Sequence, residues 1–126
     1  MSTLNVSNIT DGTTTVGTSY VVNGSAKAWM SLNGTGTIAI RDSLNISSVT
    51  DNATGGYTQN FTNSFSNGNY STNVTGTHDG GSYVSWGVVA NDTPPATTAF
   101  RGDYLNAAST PADVSYAQTS SFGDLA

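Results

Sequence analysis

Few side chains in this sequence could carry acid–base or metal chemistry. The single histidine, His78, sits in the turn-like stretch Gly76-Thr77-His78-Asp79-Gly80-Gly81. A catalytic or metal role needs partners, and Asp79 is the one acid beside it. The acids are eight Asp and no Glu: Asp11, Asp42, Asp51, Asp79, Asp92, Asp103, Asp113 and Asp124. None falls into the Asp-x-Asp-x-Asp-Gly spacing of a calcium loop. Paired carboxylates for glycoside hydrolysis are a matter of spatial, not sequential, distance. With most Asp next to Gly, Asn or Thr, turn and cap duty is the better reading. A Ser-His-Asp triad can be assembled on paper from any chain with 17 serines, so it carries no weight. No cysteine is present, which removes disulfides and thiolate metal sites. The expectation is a protein that is not an enzyme, with no catalytic, cofactor-binding or metal-binding residue and no cofactor.

Other short motifs are weak. Arg101-Gly102-Asp103 is the tripeptide of some integrin ligands, but it arises by chance, and Arg101 is expected to pair with an acid. Lys27 and Arg41 are expected to face solvent or a neighbouring subunit from strands. Ten Asn-x-Ser/Thr sequons occur, from Asn5 to Asn91. They read as a by-product of Asn- and Thr-rich strands, since the signature has a high false-positive rate. Aromatic rings beside amides or acids are the chemistry of a sugar platform. Tyr70 and Tyr83, near Asn69 and Asp79, are the candidate glycan contacts, set against an ordinary core role.

The elements that position these residues follow from composition and period. Thr, Ser, Gly and Asn fill 64 of 126 positions, and Leu, Ile, Val and Phe only 23. The first four are poor helix formers and frequent in turns. Twelve spread aromatics and a net charge of only −5 distinguish the chain from a disordered one. Three basic residues in an acidic chain argue against nucleic acid as a partner. No apolar run approaches a spanning helix, so no membrane insertion is expected. Met1-Ser2-Thr3-Leu4 lacks the basic and apolar regions of a signal peptide, so none is expected.

Apolar residues recur every second position at Ala26–Leu32, Ile38–Ile40, Leu44–Ile46, Tyr57–Phe61, Val84–Val88 and Val114–Gln118. That is the period of half-buried antiparallel strands. Turn signals stand between them at Asn23-Gly24, Asn33-Gly34, Gly55-Gly56, Asn67-Gly68 and Asp79-Gly80-Gly81. The pattern predicts an all-β fold, an antiparallel β-sandwich of about seven or eight strands, at residues 25–118. Its expected core includes Met30, Leu32, Ile38, Ile40, Leu44, Ile46, Phe61, Val84, Trp86 and Val88. Residues 1–24 read as an extended N-terminal arm or stalk, with an ordinary edge strand as the alternative. Residues 119–126 read as a C-terminal tail, loose or docked on a neighbour.

The segment Ala26-Lys27-Ala28-Trp29, followed by Asn33-Gly34-Thr35-Gly36-Thr37 and Arg41-Asp42-Ser43, resembles a recurring module of bacteriophage tail-fibre proteins. Such modules are most familiar in phages of aquatic bacteria, cyanophages among them. The pair Tyr57-Thr58 and Asn60-Phe61-Thr62, and the later Asn69-Tyr70, continue the likeness in order and spacing. It is clearest over residues 26–70. Leu4-Asn5-Val6 with Ile9 resembles the short segment that often precedes the module. Gln59 departs from the pattern, standing where the module has a small apolar residue, so its strand is expected to be more exposed.

The resemblance implies a structural protein on the surface of a virion, of tail-fibre type, contributing to particle assembly or host attachment. Capsid decoration by the same fold and a carbohydrate-binding adhesin domain remain open beside it. It also implies a homotrimer; the thin core by itself makes some oligomer expected. The implied partners are sister chains, other virion proteins and a host surface polysaccharide. Leu4, Val6, Ile9 and Trp29 are the candidate interface residues, because they are apolar and lie outside the inward face of the module.

Overall fold

The computed structural model describes residues 1–77, 86–90 and 92–126. The chain begins with β1 (Asn8–Thr10), β2 (Thr15–Gly17) and a short helix α1 (Thr18–Gly24). The body follows as β3 (Ala28–Asn33), β4 (Ala39–Leu44), β5 (Ile46–Ala53), β6 (Gly56–Phe61) and β7 (Ser71–Thr77). It is completed by β8 (Trp86–Val89), β9 (Ala99–Leu105) and β10 (Tyr116–Phe122). Among the described residues eight strands form one antiparallel sheet in the order β4-β3-β10-β7-β8-β9-β6-β5, and β1 pairs with β2 in a separate hairpin.

The strands β4 and β5 are consecutive in the chain yet stand at opposite edges of the sheet. One residue, Asn45, joins them, with φ of 60°. Asn tolerates that left-handed conformation better than other side chains. Its Oδ1 accepts the Asn63 backbone N–H at 2.7 Å, and its Nδ2 donates to the Asn63 carbonyl at 3.0 Å. The sheet therefore turns back on itself at Asn45, and its two halves face each other as a sandwich.

Alternation fills the space between the halves. Met30 and Leu32 on β3 and Ala117 on β10 point inward, opposite Tyr57 on β6 and Tyr104 on β9, while Ala28 on β3 packs with the cluster at the other end. Val114 closes that end from the β9–β10 connection. At the other end Phe61 and Phe100 meet Phe65 and Tyr70, which come from the β6–β7 connection. The Phe65 and Tyr70 rings stack at 4.2 Å between centroids. Such pairs contribute about 0.5–1.5 kcal/mol beyond burial, which matters in a core this poor in aliphatics.

Four expectations are corrected. Gln59 is only 1% exposed, so β6 is a buried strand and not an exposed one. Residues 119–122 are not a tail: they extend β10 between β3 and β7, with Thr119 and Ser121 buried. Beyond them, Phe65 bridges Leu125, and Ala126 N–H bonds the Ser64 carbonyl at 2.9 Å. Ile40 and Leu44 are 39% and 48% exposed, because β4 is an edge strand with a bulge. The register shift sets Ile40 against inward Leu32 but Leu44 against Trp29, so the two fall on opposite faces. Met30, Leu32 and Phe61 are buried, and Ile38 and Ile46 pack against the core. Val84, and the side chains of Trp86 and Val88, lie outside the described residues.

Candidate functional site

The first 24 residues supply apolar surface that nothing among the described residues covers. The β1–β2 hairpin is closed by Asp11, whose Oδ1 accepts the N–H groups of Thr14 at 2.7 Å and Thr13 at 2.9 Å. Those two bonds, Thr14 first, hold the Asp11 carboxyl below its ordinary pKa of 3.8. The hairpin is tied to α1 by Thr18, whose N–H donates to the Ser7 carbonyl at 2.9 Å. Helix α1 has no side-chain cap, no acid in its first turn and no buried residue. A seven-residue helix with those features does not stand on its own propensity. Its last carbonyls are satisfied by Lys27, whose Nζ donates to Val22 and, at 2.9 Å, to Ser25. Lys27, expected to face solvent or a neighbouring subunit, is a helix cap at the root of the arm with its ammonium at an exposed position.

Leu4 is 82% exposed and Tyr20 77%, and Val6, Ile9, Val16, Val21 and Val22 are also exposed. The sequence placed Leu4, Val6 and Ile9 at an interface. It did not single out Val16, Tyr20, Val21 and Val22 for the same surface, although Tyr20-Val21-Val22 is an apolar patch in a polar chain. With Leu4, Val6 and Ile9 these four make an arm richer in exposed apolar groups than any strand of the body whose side chains are described.

Trp29 is on the outer face of β3, partly buried, with Leu44 beside it on β4 and Ser120 on β10. Tyr116 shares that face and lies under Arg41, whose guanidinium carbon is 4.2 Å from the ring centroid. Arg41 is held there by a 3.0 Å bond from Nη2 to the Ser115 carbonyl. Tyr70 is not on a sugar platform. Its ring is in the core, and its hydroxyl lies 3.0 and 3.1 Å from the carbonyls of Ala96 and Ala99. Burial pushes it up to about 12. Tyr83, Asp79 and His78 lie outside the described residues.

Arg101, Asp103, Asp92 and Asp113 are tied into the scaffold. Arg101 Nε lies 3.0 Å from Asp103, and its Nη1 is 3.7 Å from Asp92. Arg101-Gly102-Asp103 is therefore a run in the middle of β9 whose two charged ends bind each other. Asp113 accepts the Gly55 N–H at 2.8 Å and lies 3.0 Å from the Tyr57 hydroxyl. Among the described residues no three His, Cys, Asp or Glu stand close enough to hold a metal ion. No helix of the described residues is long and apolar enough to cross a membrane.

Compared with protein families, curated proteins and solved structures, the chain matches none.

Proposed function

We propose that the protein is a non-enzymatic structural component of a virion surface, of tail-fibre type, acting as a homotrimer. In this reading the β-sandwich is the displayed body and residues 1–24 are the assembly element. Leu4, Val6 and Ile9 then pack on sister chains or on neighbouring virion proteins. The observation that carries it is the arm: eight large apolar side chains, Met1 among them, are exposed within 24 residues, against Ile40, Leu44, Tyr116 and Leu125 among the described residues of the body. An apolar surface of that kind marks an interaction site. The likeness of residues 26–70 to phage fibre modules supplies the setting. The fold supports it in one further way, since Asp11, Asp103 and Asp113 serve a turn, an ion pair and a hydrogen bond within the scaffold.

Quantitative mass spectrometry of purified particles tests the assignment. A few dozen copies or fewer per particle is the expected result. Hundreds of copies would instead make the protein a capsid decoration, and absence from particles would remove the virion reading altogether.

A further inference from the structure

The arm has a surface that fits it. Leu32, Ile38, Ala39, Ile40 and Val49 line an open cleft of about 150 Å³ where β4 and β5, the two free edges of the sheet, diverge. A cavity of ~150 Å³ lined by aliphatic groups holds a benzene-sized apolar group, which is the scale of one Leu side chain. We propose that Leu4 of one copy seats in this cleft on a second copy, with Thr3–Val6 laid along the β4 edge. The inference rests on the reading of the arm as an assembly element and names the surface that receives it.

Three observations support that occupant. Within one chain the cleft is open and Leu4 is exposed, so its own arm does not fill it. Residues 1–6 belong to no ladder and present Leu4 and Val6 two apart, the spacing that puts both on one side of an added strand. The arm exposes Leu4, Val6, Ile9, Val16, Tyr20, Val21 and Val22 together, and a stable interface covers ~800 Å² per partner. That area is too large for one cleft alone, so the rest of the arm must cover neighbouring surface of the same partner. Contact between an arm and a cleft joins two different patches. Such a heterologous contact closes into a ring when the rotation permits, which is how three copies would use it.

Because the chain has no cysteine, introduced thiols report on proximity without background. Differently tagged chains carrying Leu4→Cys and Ile40→Cys are co-expressed and oxidised. The expected result is a disulfide between the two tags, in excess over either like-with-like product. Predominant Leu4→Cys homodimers would show that arms pack on each other and would overturn the inference while leaving an arm-mediated oligomer. A monomer by light scattering of the unmodified chain would overturn the underlying reading as well. Ile40→Asp, at a half-exposed edge position, should fold and weaken association by roughly tenfold or more, since the cleft offers an unpaired carboxylate no partner. Unchanged association in that variant would also overturn the inference.

Discussion

The hydroxyl of Thr119 on β10 donates to Oε1 of Gln59 on β6 at 2.6 Å, across the middle of the sandwich. Both residues are buried, and Nε2 of Gln59 finds no partner among the described residues. Beside them, Thr72 and Ser121 share a 2.8 Å hydroxyl contact. The two halves of the core are thus separated by a polar layer, with aromatic and aliphatic clusters on either side.

That layer predicts an asymmetry between single and double substitutions. Thr119→Val alone strips Gln59 of its one partner and should cost about 1–3 kcal/mol. Gln59→Leu with Thr119→Val removes both polar groups and should be at least as stable as the parent. Urea unfolding followed by circular dichroism reads both. A double variant less stable than Thr119→Val would show that the pair contributes more than it costs.

Gly55 is a second sensitive point. Its φ is +72°, and a Cβ there would lie 2.5 Å from the Tyr104 carbonyl and 2.8 Å from Ala112 N. Both neighbours are backbone, held by bonds of their own: Tyr104 N–H to the Gly55 carbonyl at 2.7 Å and Ala112 N–H to the Tyr104 carbonyl at 3.0 Å. Gly55→Ala should exceed the ~1–2 kcal/mol of left-handed strain alone. Gly12, with φ +96° and open space around it, is the control. Gly12→Ala should disturb the hairpin and leave the unfolding midpoint of the body unchanged.

Alkaline pH should unfold the protein through its buried tyrosines. Burial raises Tyr104 and Tyr57 well above the ordinary value of 10, with the carboxylate of Asp113 adding to the effect at Tyr57. Tyr70 is pushed up to about 12. A folded state that holds these protons more tightly than the unfolded chain is fully favoured below pH ~10 and loses that advantage as pH rises beyond it. Tyrosinate absorbance and far-ultraviolet circular dichroism should therefore change together for these three. Their ionisation at ordinary pH with the fold intact would contradict the burial described.

Much of the body was legible because alternation survives even in a thin core. Met30, Leu32, Tyr57 and Phe61 announced their strands. β7 and β9 were not read, since Ser71–Thr77 and Ala99–Leu105 carry few aliphatics and bury Phe100, Gly102 and Tyr104 or half-bury Thr72, Val74 and Gly76. The same cause hid the end of β10: buried hydroxyls such as Ser121 look like loop residues. Ile40 and Leu44 misled because a bulge breaks parity without leaving a mark in the hydrophobic pattern. Of the interface candidates, Leu4, Val6 and Ile9 were visible as apolar residues without local cover. The cleft was not, because it brings Leu32 and Val49 together only after the sheet folds at Asn45.

The central claim is that the arm exists to join copies. Burying Leu4, Val6 and Ile9 would stabilise by at most roughly 1.5–3 kcal/mol each, a sum that the cost of association offsets, so the rest of the arm must add contacts for a complex to hold at micromolar concentration. Light scattering on the intact chain and on a version lacking residues 1–24 measures this directly. The account predicts three times the 12.9 kDa chain mass for the intact protein, and a monomer after removal of the arm. A monodisperse monomer for the intact chain at micromolar concentration, or a trimer unchanged by the truncation, would contradict it.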